Sequence, residues 1–284
     1  MVCGMISQEL DALLLRELQA DAPYGDKATE AVGLWGEARA VLLAKQDLVV
    51  AGLPAALRTF ELADAACSWV ALCGEGARVS KGTLIAEIEG PITALFLAER
   101  TALNLLQRLC GIATATARAV AAVEGTAAKV LDTRKTTPGL RNVEKYAVRM
   151  GGGQNHRMGL SDGVLLKDNH IAAAGSVTAA LTAARSRAGA LWKVEVEVAD
   201  LEMYREALSA GAEVILLDNM SDADMAQAVA ERPQGMLLEA SGGMTLERLR
   251  HVADLGVDYI SMGALTHSAP AADISMELVQ PRKD

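Results

Sequence analysis

Strand-like runs begin at Lys193, Val214, Met236 and Tyr259, spaced by 21, 22 and 23 residues, and the stretches between them are mostly helical in pattern. Two earlier runs, Lys129–Asp132 and Val164–Lys167, extend the series to six strand signals. Strands alternating with helices at this period predict βα units and a parallel sheet, and six repeats favour an α/β barrel over an open doubly wound sheet. No glycine-rich dinucleotide fingerprint opens the first βα unit, which weakens the doubly wound alternative further.

The front of the chain has another rhythm. Leu10, Leu13, Leu14 and Leu18 follow helical spacing within Ser7–Ala20, and short strand signals follow at Glu37–Ala44, Leu48–Ala51 and Thr83–Ile88. This part reads as a small α+β unit. Within it, the stretch from Gly76 to Gly90 resembles the hairpin of a biotinyl or lipoyl carrier, but Lys81 stands beside the turn glycine without a flanking Met, so a structural hairpin is expected. After Pro91 a long helical pattern, with Gly111 as the place where it could break, joins the two parts. A chain of 284 residues accommodates two such domains.

Hydrophobic residues make up 51% of the chain and aromatics only 3%, so the apolar mass is mainly Ala, Val and Leu, which excludes a disordered or collagen-like chain. The opening residues lack a positive n-region, and the longest weakly polar run, Ile171–Ala184, falls short of the roughly 20 residues of a membrane span. Cys3, Cys67, Cys73 and Cys110 have no CxxC spacing and read as reduced, mostly buried thiols of a cytoplasmic protein.

A net charge of −9 with few aromatics argues against a nucleic-acid platform. The charge is unevenly placed. Between Lys129 and His170 eight basic residues face four acidic ones, giving +4 there and −13 elsewhere. A barrel keeps its chemistry at the C-terminal ends of its strands. Those ends carry Asp132, Thr133, Arg134 and Lys135; Lys167, Asp168 and Asn169; Glu195 and Glu197; Asp218 and Asn219; Glu239 and Ser241; and Ser261 and Gly263. The period of two in Lys193–Val198 puts Lys193, Glu195 and Glu197 on one face, where inward carboxylates call for nearby lysines or Mg²⁺, or for an ion-pair network with Lys193. Ser241, Gly242 and Gly243, and again Ser261, Met262 and Gly263, are small-residue turns suited to phosphate. Arg134 and Arg157 can each hold a carboxylate through bidentate bonds, so a small polyanion suits the cationic island.

Several longer motifs resemble one family. Leu131–Arg141 (LDTRKTTPGLR), Lys145–Asp162 (KYAVRMGGGQNHRMGLSD), Leu165–His170 (LLKDNH), Val194–Val198, Leu216–Asn219, Glu239–Gly243 and Ser261–Ser268 are similar to quinolinate phosphoribosyltransferase, in the family's order and over nearly the whole chain. The resemblance implies transfer of the phosphoribosyl group of phosphoribosyl pyrophosphate to quinolinate with decarboxylation and Mg²⁺. It implies an N-terminal α/β sandwich domain over residues 1–110, an incomplete α/β barrel over 111–267, and a tail, 268–284, that returns to the first domain. It also assigns roles. Arg134, His156, Arg157 and Lys167 match quinolinate-binding positions, flanked by Thr133 and Lys135; Glu197 and Asp218 match acids near the ribose hydroxyls and Mg²⁺; Ser241–Gly243, Ser261–Gly263 and His267 match the phosphate side. Arg100 matches an arginine donated into the neighbour's site, which implies a homodimer. Lys135, Glu197 and Asp218 are the expected catalytic residues.

One departure from the family pattern, Lys27-Ala28-Thr29 after Gly25-Asp26, leaves local N-terminal packing open. The rival readings are a related pyrophosphorylase of molybdenum-gene clusters, a nicotinate-type phosphoribosyltransferase, a Schiff-base aldolase using Lys167, and a sugar-phosphate-binding regulator. The TRKTTPG and LLKDNH motifs stay on the quinolinate pattern.

Overall fold

The computed structural model describes residues 7–189 and 191–279, so Cys3 and the last residues of the expected tail lie outside the described residues. In chain order the elements are α1 (Gln8–Asp21), α2 (Lys27–Val32), β1 (Glu37–Ala44), β2 (Leu48–Val49), α3 (Leu53–Ala63), β3 (Ser68–Ala71), β4 (Arg78–Val79), β5 (Leu84–Pro91) and α4 (Ile92–Ala122). Then follow β6 (Lys129–Leu131), α5 (Arg141–Met150), β7 (Val164–Leu166), α6 (Asp168–Ala174), α7 (Val177–Arg187), β8 (Val194–Val198) and α8 (Leu201–Ser209). The chain closes with β9 (Val214–Asp218), α9 (Asp222–Glu231), β10 (Leu237–Ser241), α10 (Leu246–Asp254), β11 (Tyr259–Ser261), α11 (Ala264–His267) and β12 (Ile274–Leu278). Two compact units result, one of residues 1–117, 137–152 and 269–284, the other of 118–136 and 153–268.

The first unit is an α/β sandwich. Its sheet runs β12-β1-β5-β3, all antiparallel, so the strand from the C-terminal tail lies beside β1. Ser7 caps α1 by accepting the Leu10 N–H, and Leu10, Leu14 and Leu18 are buried one turn apart, the stripe that a helix needs to dock on a core. Leu18, Leu42, Phe60, Ile88, Leu106 and Ile274 belong to one apolar cluster. Asp26 caps α2 through the Ala28 N–H and the Thr29 hydroxyl, so the departure after Gly25 is absorbed by a helix start.

Two expectations fail here. Residues 76–90 do not form one hairpin, because β4 pairs with β2 while β5 pairs with β1 and β3. Gly111 does not break α4; a Cβ there would lie 2.0 Å from the Pro270 carbonyl oxygen, so glycine permits a close approach of the tail inside an unbroken helix. Helix α5 belongs to this unit. Its Glu144 is fully buried and accepts from the Arg108 guanidinium at 2.9 Å and from the Thr137 N–H at 3.0 Å.

The second unit is an incomplete α/β barrel. All pairings in its sheet are parallel and the order is β6-β11-β10-β9-β8-β7, so successive strands lie side by side around a sheet that is open between β6 and β7. At that gap Gln154 forms an isolated parallel bridge with Leu131, its N–H bonding the Val130 carbonyl and its carbonyl accepting from the Asp132 N–H. Strands covered on both faces read as continuous apolar runs, as β9 does with Ile215, Leu216 and Leu217 all buried. Among the described residues no helix is long and apolar enough to cross a membrane.

Candidate active site

The C-terminal strand ends of the second unit surround a cavity of about 550 Å³. Its lining includes the cations Arg134, Lys135, Arg157 and Lys167 and the acids Glu197 and Asp218, while Ser241, Gly242, Gly243 and Ser261 supply small polar surface. Thr133 and His156 complete the expected residues found there. Met262, Gly263, His267 and Arg100 do not line it. The Met262 side chain is buried and its N–H bonds the Leu131 carbonyl, whereas His267 is exposed with Nδ1 beside the Ser268 hydroxyl. Gly263 acts indirectly. A Cβ there would come within 2.9 Å of Lys135 Cδ, so its absence gives the lysine side chain its path. Arg100 is exposed on α4, in the first unit.

Each strand end is held by local chemistry. Asp132, buried after β6, accepts from the Asn155 amide and from the His156 N–H at 2.9 Å, which ties the 154–157 segment to the strand. Arg157 then reaches back, its guanidinium donating to the Gly163 carbonyl at 3.0 Å. Burial, and next the charge of Arg134, lower the Arg157 pKa from the ordinary guanidinium value. Like charges held together in a partly desolvated wall favour a polyanionic guest. Lys167, at the N-terminus of α6, pairs with Glu197 of β8. Asp218 closes β9 and accepts from Asn219 Nδ2 at 2.9 Å; Asn219 itself is left-handed, with φ 54°.

A nearby lysine does meet one inward carboxylate, Lys167 pairing with Glu197, whereas the alternative ion-pair network with Lys193 is not found among the described residues. Lys193 is exposed ahead of β8, which begins at Val194. Glu195 instead lies 3.1 Å from His156 Nε2, and Glu239 of β10 lies 3.6 Å from the same nitrogen. Burial, then the Glu195 carboxylate, push the Glu239 carboxyl up to about 7. The cationic island is also divided, since Arg141, Lys145 and Arg149 stand on α5 and Lys129 opens β6 at the opposite end from the cavity.

Asn219 and Glu239 line the cavity, as do Leu165 and Leu216, which supply apolar surface against which a flat ring could rest. Position at a strand end marked the first two; the leucines are indistinguishable in sequence from the other apolar residues of β7 and β9. Glu197 and Asp218 offer hard oxygen donors on the wall of the same cavity, a set that suits Mg²⁺ held by one or two carboxylates together with substrate oxygens.

Comparison with known proteins agrees with this geometry. Residues 26–110 match the model of the quinolinate phosphoribosyl transferase N-terminal domain and residues 112–277 that of its C-terminal domain. The chain is 44% identical over 270 residues to a probable nicotinate-nucleotide pyrophosphorylase (carboxylating) of Bacillus subtilis, covering 95% of this chain and 93% of the relative. It is 41% identical over 274 residues to the nicotinate-nucleotide pyrophosphorylase (carboxylating) of Homo sapiens, covering 95% and 91%. The crystal structure of NadC from Streptococcus pyogenes superposes with a TM-score of 0.90 at 44% identity, over 95% of this chain and 96% of that one. With both domain models matched and such identity over nearly its whole length, the chain belongs to the quinolinate phosphoribosyl transferase family.

Proposed function

We propose that the chain transfers the phosphoribosyl group of phosphoribosyl pyrophosphate to quinolinate with loss of CO₂, giving nicotinate mononucleotide and pyrophosphate. The observation that carries this reading is one cavity lined both by Arg134, Lys135 and Arg157 and by Glu197 and Asp218, with Lys167 paired to Glu197. A dicarboxylate acceptor satisfies the first, and a sugar carbon that gains positive charge satisfies the second.

As pyrophosphate leaves, positive charge grows at C1 of the ribose, and the Glu197 and Asp218 carboxylates are fixed in place to stabilise it. Lys167 pairs with Glu197 and Asn219 donates to Asp218, contacts that orient both acids ahead of the step. Arg134, Arg157 and Lys135 hold the two carboxylates of the acceptor and orient its ring nitrogen toward C1, a contribution of proximity more than of acid–base chemistry. Ser241–Gly243 and Ser261 receive phosphate oxygens; Gly242 and Gly243, at φ 89° and 57°, expose backbone where a side chain would intrude. Mg²⁺, when bound by Glu197 and Asp218, would neutralise charge on the leaving pyrophosphate.

Release of labelled CO₂ from carboxyl-labelled quinolinate, dependent on phosphoribosyl pyrophosphate and on Mg²⁺, tests the reading. Arg100 is read as entering the site of a second copy in a homodimer, which accounts for an exposed arginine on α4 in the family's motif. Mixing inactive Arg100→Ala and Lys135→Ala chains would then restore activity, because hybrid dimers contain one intact site. A catalyst of this kind works among dissolved metabolites, which suits the cytoplasm.

A further inference from the structure

His156 has two differently used ring nitrogens. Nδ1 accepts the backbone N–H of Arg157 at 2.7 Å, which places the ring proton on Nε2. Nε2 faces Glu195 of β8 at 3.1 Å and Glu239 of β10 at 3.6 Å, both of them buried residues. Among the described residues Glu195 Oε1 and Glu239 Oε1 have no hydrogen-bond partner, while the imidazole lies against the other oxygen, Oε2, of each carboxyl. On the other side of the residue, its backbone N–H is fixed by Asp132, the residue after β6. The Glu195 carboxyl and Ser261 of β11 also face Glu239.

These contacts span the open side of the barrel. The 154–157 segment follows the edge of β6, bonded to it through Gln154 and, just past the strand, to Asp132. The His156 ring reaches from it to Glu195 of β8 and Glu239 of β10. The next residue along is Arg157, whose guanidinium lines the cavity.

We propose that Glu195 and Glu239 are positioning residues of the acceptor pocket: Glu195 accepts the Nε2 proton and Glu239 stands against the same nitrogen, so that together they lock the His156 ring, whose Nδ1 holds the Arg157 backbone, and so aim the Arg157 guanidinium at an acceptor carboxylate. The inference rests on the dicarboxylate reading given above. It adds to the resemblance, which gave His156 a place in the pocket and left the two glutamates without a role.

Two measurements test it. Long-range ¹H–¹⁵N NMR of the free protein reports the tautomer of each of the four histidines, with His156→Gln identifying the resonance in question. A proton on Nε2 alone is expected, and a ring protonated on Nδ1, neutral or cationic, would overturn the proposal. This readout needs no substrate, so it stands even if quinolinate proves to be the wrong acceptor. In kinetics, Glu239→Leu should raise the KM for quinolinate by about ten-fold, the equivalent of about 1.4 kcal/mol, while the KM for phosphoribosyl pyrophosphate stays within about three-fold. Glu239→Gln keeps an acceptor oxygen and should recover most of the loss. Unchanged KM values in the leucine variant, or an equal rise for both substrates that glutamine does not reverse, would overturn it. Absence of CO₂ release by the unaltered protein would refute the acceptor and leave the tautomer to decide the positioning role.

Discussion

The Asn219 side chain fills the space beside Gly242 where a Cβ would stand, its Oδ1 only 2.2 Å from that position. Asn219 is the one non-glycine residue with positive φ among those described, and it holds Asp218 through Nδ2 while its own N–H bonds the Ser241 carbonyl. Two strand ends thus fit only as a pair. Gly242→Ala should displace Asn219 and strain a backbone at φ 89°, costing about 1–3 kcal/mol of stability and lowering kcat/KM for phosphoribosyl pyrophosphate by at least about ten-fold. Adding Asn219→Gly removes the clash, so thermal unfolding of the double variant should show less than the sum of the single losses.

Arg157→Ala removes one charged contact to the acceptor and relieves the repulsion with Arg134. Charged hydrogen bonds contribute about 1.5–3 kcal/mol each, and a bidentate pair supplies two, so turnover of quinolinate should fall by about two to four orders of magnitude. The unfolding midpoint should hold or rise. Near-unaltered kinetics would remove this arginine from the acceptor site.

How much of this was legible in the sequence depends on whether the signal was local. The βα period marked all six barrel strands to within a residue at each end, because buried parallel strands are apolar runs bounded by turns. The pairing of β4 with β2 was not legible, since a short strand chooses its partner by tertiary contact. Gly111 looked like a helix break because the Pro270 carbonyl that explains it is 159 residues away in the chain. At the site, charged residues at strand ends announced Arg134, Lys167, Glu197 and Asp218. The partner of Glu195 was missed, because Lys193 was nearer in sequence while His156, from the segment along the edge of β6, was nearer in space.

Glu239 gives the protein a distinct pH response. Its carboxyl is raised from 4.5 to about 7 on folding, so between these values the folded state holds a proton that the unfolded chain releases. The folded state therefore loses stability from this group as pH rises from about 4.5 to about 7, and the cost of ionising it is complete above that. Gln mimics the protonated form. The stability of the natural protein relative to Glu239→Gln should decline between pH 5 and pH 8 in chemical denaturation, and a difference that is flat with pH would contradict the assignment.

The buried Glu144 should matter for stability and not for chemistry. With its partners Arg108 and the Thr137 N–H left in place, Glu144→Ala strands a cation and a donor, and should cost about 3–5 kcal/mol. Calorimetry checks this directly. A loss below about 1 kcal/mol would mean that water reaches Arg108 freely.

The central claim is that one cavity joins a dicarboxylate to an activated ribose and releases CO₂. The most direct measurement supplies phosphoribosyl pyrophosphate and Mg²⁺ with either quinolinate or nicotinate, and quantifies CO₂, pyrophosphate and nicotinate mononucleotide together. Equal amounts of all three from quinolinate, with little product from nicotinate, are the predicted result; mononucleotide formed from nicotinate alone, without CO₂, would contradict it.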